Sequence, residues 1–361
     1  MSSPDQLLFI YQHRSAFVED DERLLAEAYR VHTLAFGAPK SPTKLLRSWS
    51  RQLFWLLRKL PRARFVFGWF ADYHMVLPVA LARMWRVPVV VVIGGSDAQA
   101  IPALHYGVYS SRWRAPLGRF VVRNASLLLP VTASLIEGQN PFAAWPDVLP
   151  TGLRAYVPDL KTPFRVIPTG YDPDRWPMGP LSRPASVLSV GLISSLRTAL
   201  IKGIDLLIEA ARLLPDIPVH VVGVSPAVAA EIRARWHPPN NLHLDPPRRR
   251  EELSALYGQT AVYAQLSRSE GLPNVVCEAM LCGCAPVGSP VGGMPEVIEG
   301  LGQLVFRPDP REIARAIRQC LQSEGDRRLA FRERIKSRYS LAQRKRALLE
   351  TLESLRARPH P

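Results

Sequence analysis

The most constraining feature of this chain is an alternation that happens twice. Short apolar runs rich in β-branched residues are separated by stretches with helical spacing. The first series of expected strands is 7–11, 30–34, 65–69, 88–93 and 127–131. The second opens at 165–167 and continues through 187–190, 219–222, 242–244, 262–264 and 285–287. Helices are expected between them, such as 21–28, 204–213 and 251–257. Strands apolar on both faces need cover on both, which a parallel sheet flanked by helices supplies. Two such series in 361 residues predict two doubly wound α/β domains, because a single core stops growing short of that length. The seam is expected near 157–163, a polar stretch containing proline, and 340–355 reads as a separate amphipathic helix.

Charge narrows the partners. The formal net charge is +15. From Lys40 to Arg123 there are 14 Lys and Arg against two acids, Asp72 and Asp97, so this stretch alone carries 14 − 2 = +12. One-sided charge attracts an anionic membrane surface, a nucleic acid or a phosphorylated substrate. Within it, segment 44–60 mixes Trp49, Phe54 and Trp55 with Arg47, Arg51, Arg58 and Lys59. That reads as a basic amphipathic helix whose apolar face either packs on the sheet of the first half or, the reading preferred here, lies in a membrane interface. No recognised RNA- or DNA-binding motif accompanies the charge, so nucleic acid is not the expected partner. No apolar run approaches the roughly 18–20 residues of a spanning helix. Residues Met1, Ser2, Ser3, Pro4 and Asp5 lack a basic start and an apolar core, and the 4 cysteines are no disulfide framework. The expectation is a cytoplasmic protein, peripheral on the inner face of the cell membrane.

The informative stretch for chemistry is 267–296. Segment 262–265 reads as a short strand, 267–272 as a loop, and Pro273 suits a first helical position. The helix is expected to end near Cys282, with Gly283 as its left-handed stop. This puts Glu270 just before a helix N-terminus and Glu278 inside the helix. Free N–H groups there favour an anion, and a carboxylate on each side only accepts hydrogen bonds, which suits hydroxyls. Diphosphate and hydroxyls together describe a nucleotide sugar. A lone glutamate is more often a surface acid, so the surroundings must carry the reading.

They do. Glu270-Gly271-Leu272-Pro273-Asn274-x-x-x-Glu278 resembles the signature of the retaining glycosyltransferases of family 4, as does Pro286-Val287-x-x-x-x-Gly292-Gly293-x-Pro295-Glu296. Upstream, Ser189-Val190-Gly191 followed by Arg197-x-x-x-x-Lys202-Gly203 is similar to that family's diphosphate-binding strand, loop and helix start. Pro168-Thr169-Gly170-Tyr171-Asp172 is similar to its interdomain segment, with Thr169 where the family has Asn. The resemblance implies the GT-B fold: two Rossmann-like domains facing a central cleft. The first, 1–162, would bind the acceptor and the second, 163–339, the donor. The helix of 340–361 would return to the first. It further implies that Arg197 and Lys202 neutralise the leaving diphosphate near Gly191. Glu278 would take the ribose hydroxyls, and Glu270 those of the transferred sugar. The N–H groups of Gly271 and Leu272 would face phosphate or sugar oxygens, and Asn274 would brace the helix start. The donor is then a nucleotide-diphosphate sugar, with no cofactor or metal required.

The first half departs from the pattern. Val90 to Asp97 resembles a strand that in relatives ends on His-Gly and then an Asp; Asp97 is kept as a candidate catalytic residue, but Gly94 stands at the histidine. His13, His74 and His105 are candidate replacements, and His13 with Arg14 could meet an anionic acceptor such as a sugar, lipid-linked or envelope molecule. Cys277, Cys282 and Cys284 read as buried thiols, since their spacing does not suit zinc. Two enzyme-like alternatives stay open: a sugar-nucleotide epimerase of the same fold, and an inactive homologue serving as a partner subunit.

Overall fold

The structure, a computed structural model, describes residues 4–39, 41–323 and 325–357. Met1, Ser2, Ser3 and Lys40, and the last residues of segment 340–361, lie outside the described residues. The chain divides into two compact units. Unit 1 is Met1–Gly138, Thr151–Gly170 and Leu341–Pro361; unit 2 is Gln139–Pro150 and Tyr171–Ser340. The division at 170/171 falls eight positions after the expected boundary of 162/163, and segment 139–150 belongs with the later unit.

Unit 1 is built on a parallel sheet of β1 (Gln6–Tyr11), β2 (Arg30–Ala35), β3 (Ala63–Trp69), β4 (Val89–Ile93) and β5 (Leu127–Pro130), in the order β2-β1-β3-β4-β5. β4 is a run of β-branched residues buried throughout, as a central parallel strand requires. Segment 165–167, expected to open the second series, instead continues beside β5. Arg165 N–H donates to the Leu128 carbonyl at 3.0 Å and Ile167 N–H to that of Pro130 at 3.0 Å. Right-handed crossovers put the Pro42–Lys59, Val76–Met84 and Arg114–Asn124 helices in one layer. The Ala16–Ala26 helix covers the other face and packs against the C-terminal Leu341–Ala357 helix.

A hairpin of β6 (Gly138–Ala144) and β7 (Asp147–Thr151) comes next, with a cis Trp145–Pro146 bond. Nothing in the alternation announced it. Unit 2 contains β8 (Val187–Ile193), β9 (Val219–Val224), β10 (Leu242–Asp245), β11 (Val262–Gln265), β12 (Ala285–Gly288) and β13 (Gln303–Leu304). Their order is β10-β9-β8-β11-β12-β13, all parallel. Among the described residues no helix is long and apolar enough to cross a membrane. All four cysteines are buried, and burial pushes the Cys282 and Cys284 thiols up to about 12.

Candidate active site

In doubly wound sheets the binding crevice lies beyond the carboxyl ends of the two strands where the order reverses. In unit 2 those strands are β8 and β11, which pair directly. The chain leaving β8 forms the Leu196–Ile201 helix, whose cap Ser195 accepts the Thr198 N–H at 3.1 Å. It turns at Lys202–Gly203 into the Ile204–Arg212 helix. Gly203 has φ +70°, and a Cβ there would lie 2.0 Å from the Leu266 carbonyl oxygen. The loop after β11 therefore rests directly on this turn.

Arg268 fixes the contact. Its backbone N–H donates to the Ile201 carbonyl at 2.7 Å. Its guanidinium grips both oxygens of Asp205, in the first turn of the second helix, at 2.8 and 2.7 Å. The forked geometry of guanidinium and carboxylate sets the register of the two loops. Asn140 of the hairpin adds a bond to the Arg268 carbonyl at 2.8 Å.

The consequence is the central pair. Lys202 Nζ donates to Glu270 Oε1 at 2.8 Å, and both side chains are largely covered. The same oxygen accepts from Ser267 Oγ at 2.7 Å and Gln265 Nε2 at 3.2 Å. Behind them, Tyr263 OH donates to Gln265 Oε1 at 2.8 Å and receives the Val190 N–H at 3.1 Å. A chain of buried donors thus holds one face of the carboxylate. Gly292, with φ +57°, has no room for a Cβ, which would come within 2.4 Å of the Glu270 carbonyl oxygen. Gly293 N–H donates to the Gly271 carbonyl at 2.7 Å. Gly191 sits beside the Lys202 stem, and its carbonyl blocks any side chain on Gly223.

The helix that follows is Asn274–Leu281, one residue later than expected, with Pro273 as an N-cap that offers no side-chain bond. Its opening N–H groups are therefore suited to an anion. Asn274 and Glu278 share one face at i, i+4 spacing. Tyr171 OH donates to Asn274 Oδ1 at 2.6 Å. Leu272 is buried and Glu278 half-buried, while Arg197 is exposed in the first turn of its helix. The structure thus brings Gly191, Lys202 and Glu270 together. Gln265, Ser267, Arg268 and Asp205 were missed in the sequence, although Ser267 and Glu270 stand three apart in the motif itself.

Unit 1 reverses its strand order between β1 and β3. The loops there meet through Gln12, which donates to Tyr73 OH. Gly94 has no space for the family's histidine: a Cβ would sit 2.4 Å from the Phe70 ring. Phe70 takes a left-handed backbone, φ 69°, and rests against Trp69 and Phe17. Asp97 is buried, and its carboxylate accepts the N–H groups of Gly94 (3.0 Å), Gly95 (2.9 Å) and Ala71 (2.9 Å). Its oxygens are turned onto its own loop and the one after β3, so it braces these loops. His74 is a core residue: fully buried, bonded to the Trp69 carbonyl at 2.8 Å, its pKa lowered by burial. That removes it from the acceptor candidates. His105 is exposed on a left-handed turn at φ 48°. His13 and Arg14 are exposed after β1, and Arg14 pairs with Glu19 at 2.7 Å.

Burial outweighs the backbone N–H donors and pushes the Asp97 carboxyl up to about 6. The native state therefore holds this proton more tightly than the unfolded chain. The stability gained is complete below about pH 4 and is lost as pH rises through about 6. Asp97→Asn is expected to flatten that part of a melting-temperature profile. At pH 7 it should cost about 1–3 kcal/mol, because one end of the amide presents N–H to backbone N–H. A variant with the wild-type profile would refute this bracing role.

Among the described residues, no three His, Cys, Asp or Glu side chains cluster as a metal site. Residues 187–323 match the family described as Glycosyl transferases group 1. The chain is 28% identical over 265 residues to the D-inositol 3-phosphate glycosyltransferase of Xylanimonas cellulosilytica, covering 63% of this chain and 64% of that protein. It is 30% identical over 134 residues to a protein of the same name from Mycobacteroides abscessus, covering 35% and 30%. The matches thus span less than two thirds of these relatives. Among solved structures, the chain is similar to sucrose-phosphate synthase from Thermosynechococcus elongatus, with TM-score 0.74, 15% identity and coverage of 98% and 99%. It is also similar to Anabaena HepE in complex with UDP and glucose, with TM-score 0.71, 15% identity and coverage of 96% and 99%. At such identities the likeness establishes the fold, which is GT-B.

Proposed function

Starting from a Glycosyl transferases group 1 match over residues 187–323, we propose that this protein is a glycosyltransferase that moves a sugar from a nucleotide-diphosphate donor to an acceptor hydroxyl with retention of configuration. The observation that carries the reading is the Lys202–Glu270 pair, held beside an uncapped helix start at the strand-order reversal of unit 2. Lys202, Arg197 and the helix N–H groups stabilise the departing diphosphate. Glu270 accepts hydroxyls of the transferred sugar and Glu278 those of the ribose. The acceptor oxygen forms its bond to the anomeric carbon on the face from which the diphosphate leaves. The acceptor proton passes to the departing phosphate oxygen. Positioning and preorganised charge lower the barrier.

Unit 1 binds the acceptor, in the assembly of an envelope glycolipid or polysaccharide. Relatives named for a phosphorylated inositol support an anionic acceptor, which the exposed Arg14 and His13 suit. A similar structure solved with UDP and glucose makes UDP sugars the first donors to try. Thermal shifts with UDP, GDP, ADP, CMP and their sugar conjugates should single out one nucleotide. Ligand at about 100 times its Kd adds roughly 2.7 kcal/mol. With that donor, early product examined by proton NMR should keep the donor's anomeric configuration, and activity should survive a chelator. Inverted product, or donor interconversion without any acceptor, would overturn the proposal; the latter describes an epimerase.

A further inference from the structure

The helices of one layer of unit 1, Pro42–Lys59, Val76–Met84 and Arg114–Asn124, combine two features that glycosyl transfer does not require. The first is charge without compensation at the surface. Between residues 41 and 123 the only acids are Asp72 and Asp97, and both are buried. Asp72 is taken up by Arg114. Lys44, Arg47, Arg58, Arg83, Arg86 and Arg112 are exposed. The Ala16–Ala26 helix, on the opposite face, carries Glu19, Asp20, Asp21 and Glu22.

The second feature is apolar surface turned outward. Leu46 is 65% exposed, Phe54 69%, Met84 74% and Trp113 52%, with Leu57 and Phe120 also open. At about 100° per residue, Leu46, Leu57 and Phe54 fall within roughly 80° of one another on their helix. Arg47 and Arg58 each follow a leucine by one position and border that stripe on one side. This stripe is not the apolar face that the sequence suggested. Trp49 turns inward, its Nε1 donating to the Tyr73 carbonyl at 3.3 Å, and Gln52 and Leu56 are buried behind it. The helix therefore has an inner face packed on unit 1 and a separate outer stripe edged with arginines.

We propose that this layer docks on an anionic lipid surface. Leu46, Phe54 and Leu57 enter the headgroup boundary, and the arginines meet lipid phosphates with their stems along the apolar edge. A second copy of the chain is a poorer occupant, because it would press two such cationic faces together. Nucleic acid would satisfy the charge but not the outward leucine and phenylalanine. The inference goes beyond glycosyl transfer and does not rest on it.

The test is sedimentation with vesicles of phosphatidylcholine, with and without phosphatidylglycerol, beside a gel shift with random-sequence RNA. Binding is expected only with phosphatidylglycerol, and should fall as salt rises. Arg47→Gln with Arg58→Gln should weaken it roughly 30-fold. Leu46→Gln with Phe54→Gln should weaken it about tenfold or more. Both side chains are open to solvent, so the second variant should keep the wild-type melting temperature and nucleotide response. No vesicle binding at low salt would overturn the proposal. So would wild-type vesicle binding by the Leu46 and Phe54 variant, or RNA binding without vesicle binding.

Discussion

Replacing Asp21 by alanine is expected to lower the melting temperature of unit 1 by roughly 10 °C, the largest stability effect anticipated for a single residue here. Asp21 is 0% and Arg344 4% exposed. The Arg344 guanidinium donates to both Asp21 oxygens, at 2.5 and 2.6 Å. Trp69 Nε1 adds a third bond to that carboxylate at 3.0 Å. Arg344 also donates to the carbonyls of Ile167 at 2.9 Å and Pro168 at 2.6 Å, and lies over the Trp69 ring. One ion pair thus ties the C-terminal helix, the Ala16–Ala26 helix and the end of β3 together within unit 1. Removing its acid leaves a buried guanidinium whose charge is uncompensated, which costs about 3–5 kcal/mol. Exchanging both members for leucine removes the buried charge altogether. Calorimetry should therefore find Asp21→Leu with Arg344→Leu more stable than Asp21→Ala. If the double variant is the less stable of the two, the ion pair itself stabilises the unit and this account fails.

Glu270→Gln is expected to reduce turnover by about 10²- to 10³-fold while changing nucleoside diphosphate affinity far less. One carboxylate oxygen already faces three donors, from Lys202, Ser267 and Gln265. A glutamine can turn its carbonyl oxygen to them, so the fold should survive. What disappears is the negative charge that holds Lys202 in place and strengthens acceptance from sugar hydroxyls. Glu278→Gln should behave differently: the ribose is common to free nucleotide and donor, so both should bind more weakly. Isothermal titration with the nucleoside diphosphate separates the two variants. Equal losses of nucleotide affinity would show that these glutamates do not divide sugar and ribose between them.

Much of the architecture was legible because parallel strands buried on both faces leave a local trace. The runs at 7–11, 88–93 and 127–131 fall within a residue of the observed strands. Segment 165–167 misled for the same reason. Its composition is that of a strand, but which sheet edge it follows depends on where the chain travels next. The β6–β7 hairpin was missed because its strands pair with each other across a proline turn and carry no alternation of a helix-flanked sheet.

Local pattern in the chain specifies two parallel sheets, and the motifs mark Lys202, Glu270 and Glu278 as members of one site. Glu270 before a helix start and Glu278 inside that helix follow from local strand and helix signals, whereas Lys202, in a turn between two helices, was marked by the resemblance of its motif. Their neighbours follow from the order of the strands. Lys202 meets Glu270 across 68 positions of chain because the strand order makes β8 and β11 adjacent, and the Arg268–Asp205 fork then fixes how their loops lie. The same dependence turned Asp97 onto backbone donors, buried His74 in the core, and set Phe70 where a side chain on Gly94 would go. In each case the deciding contact joins a residue to a different strand or loop, and local periodicity does not encode which one that is.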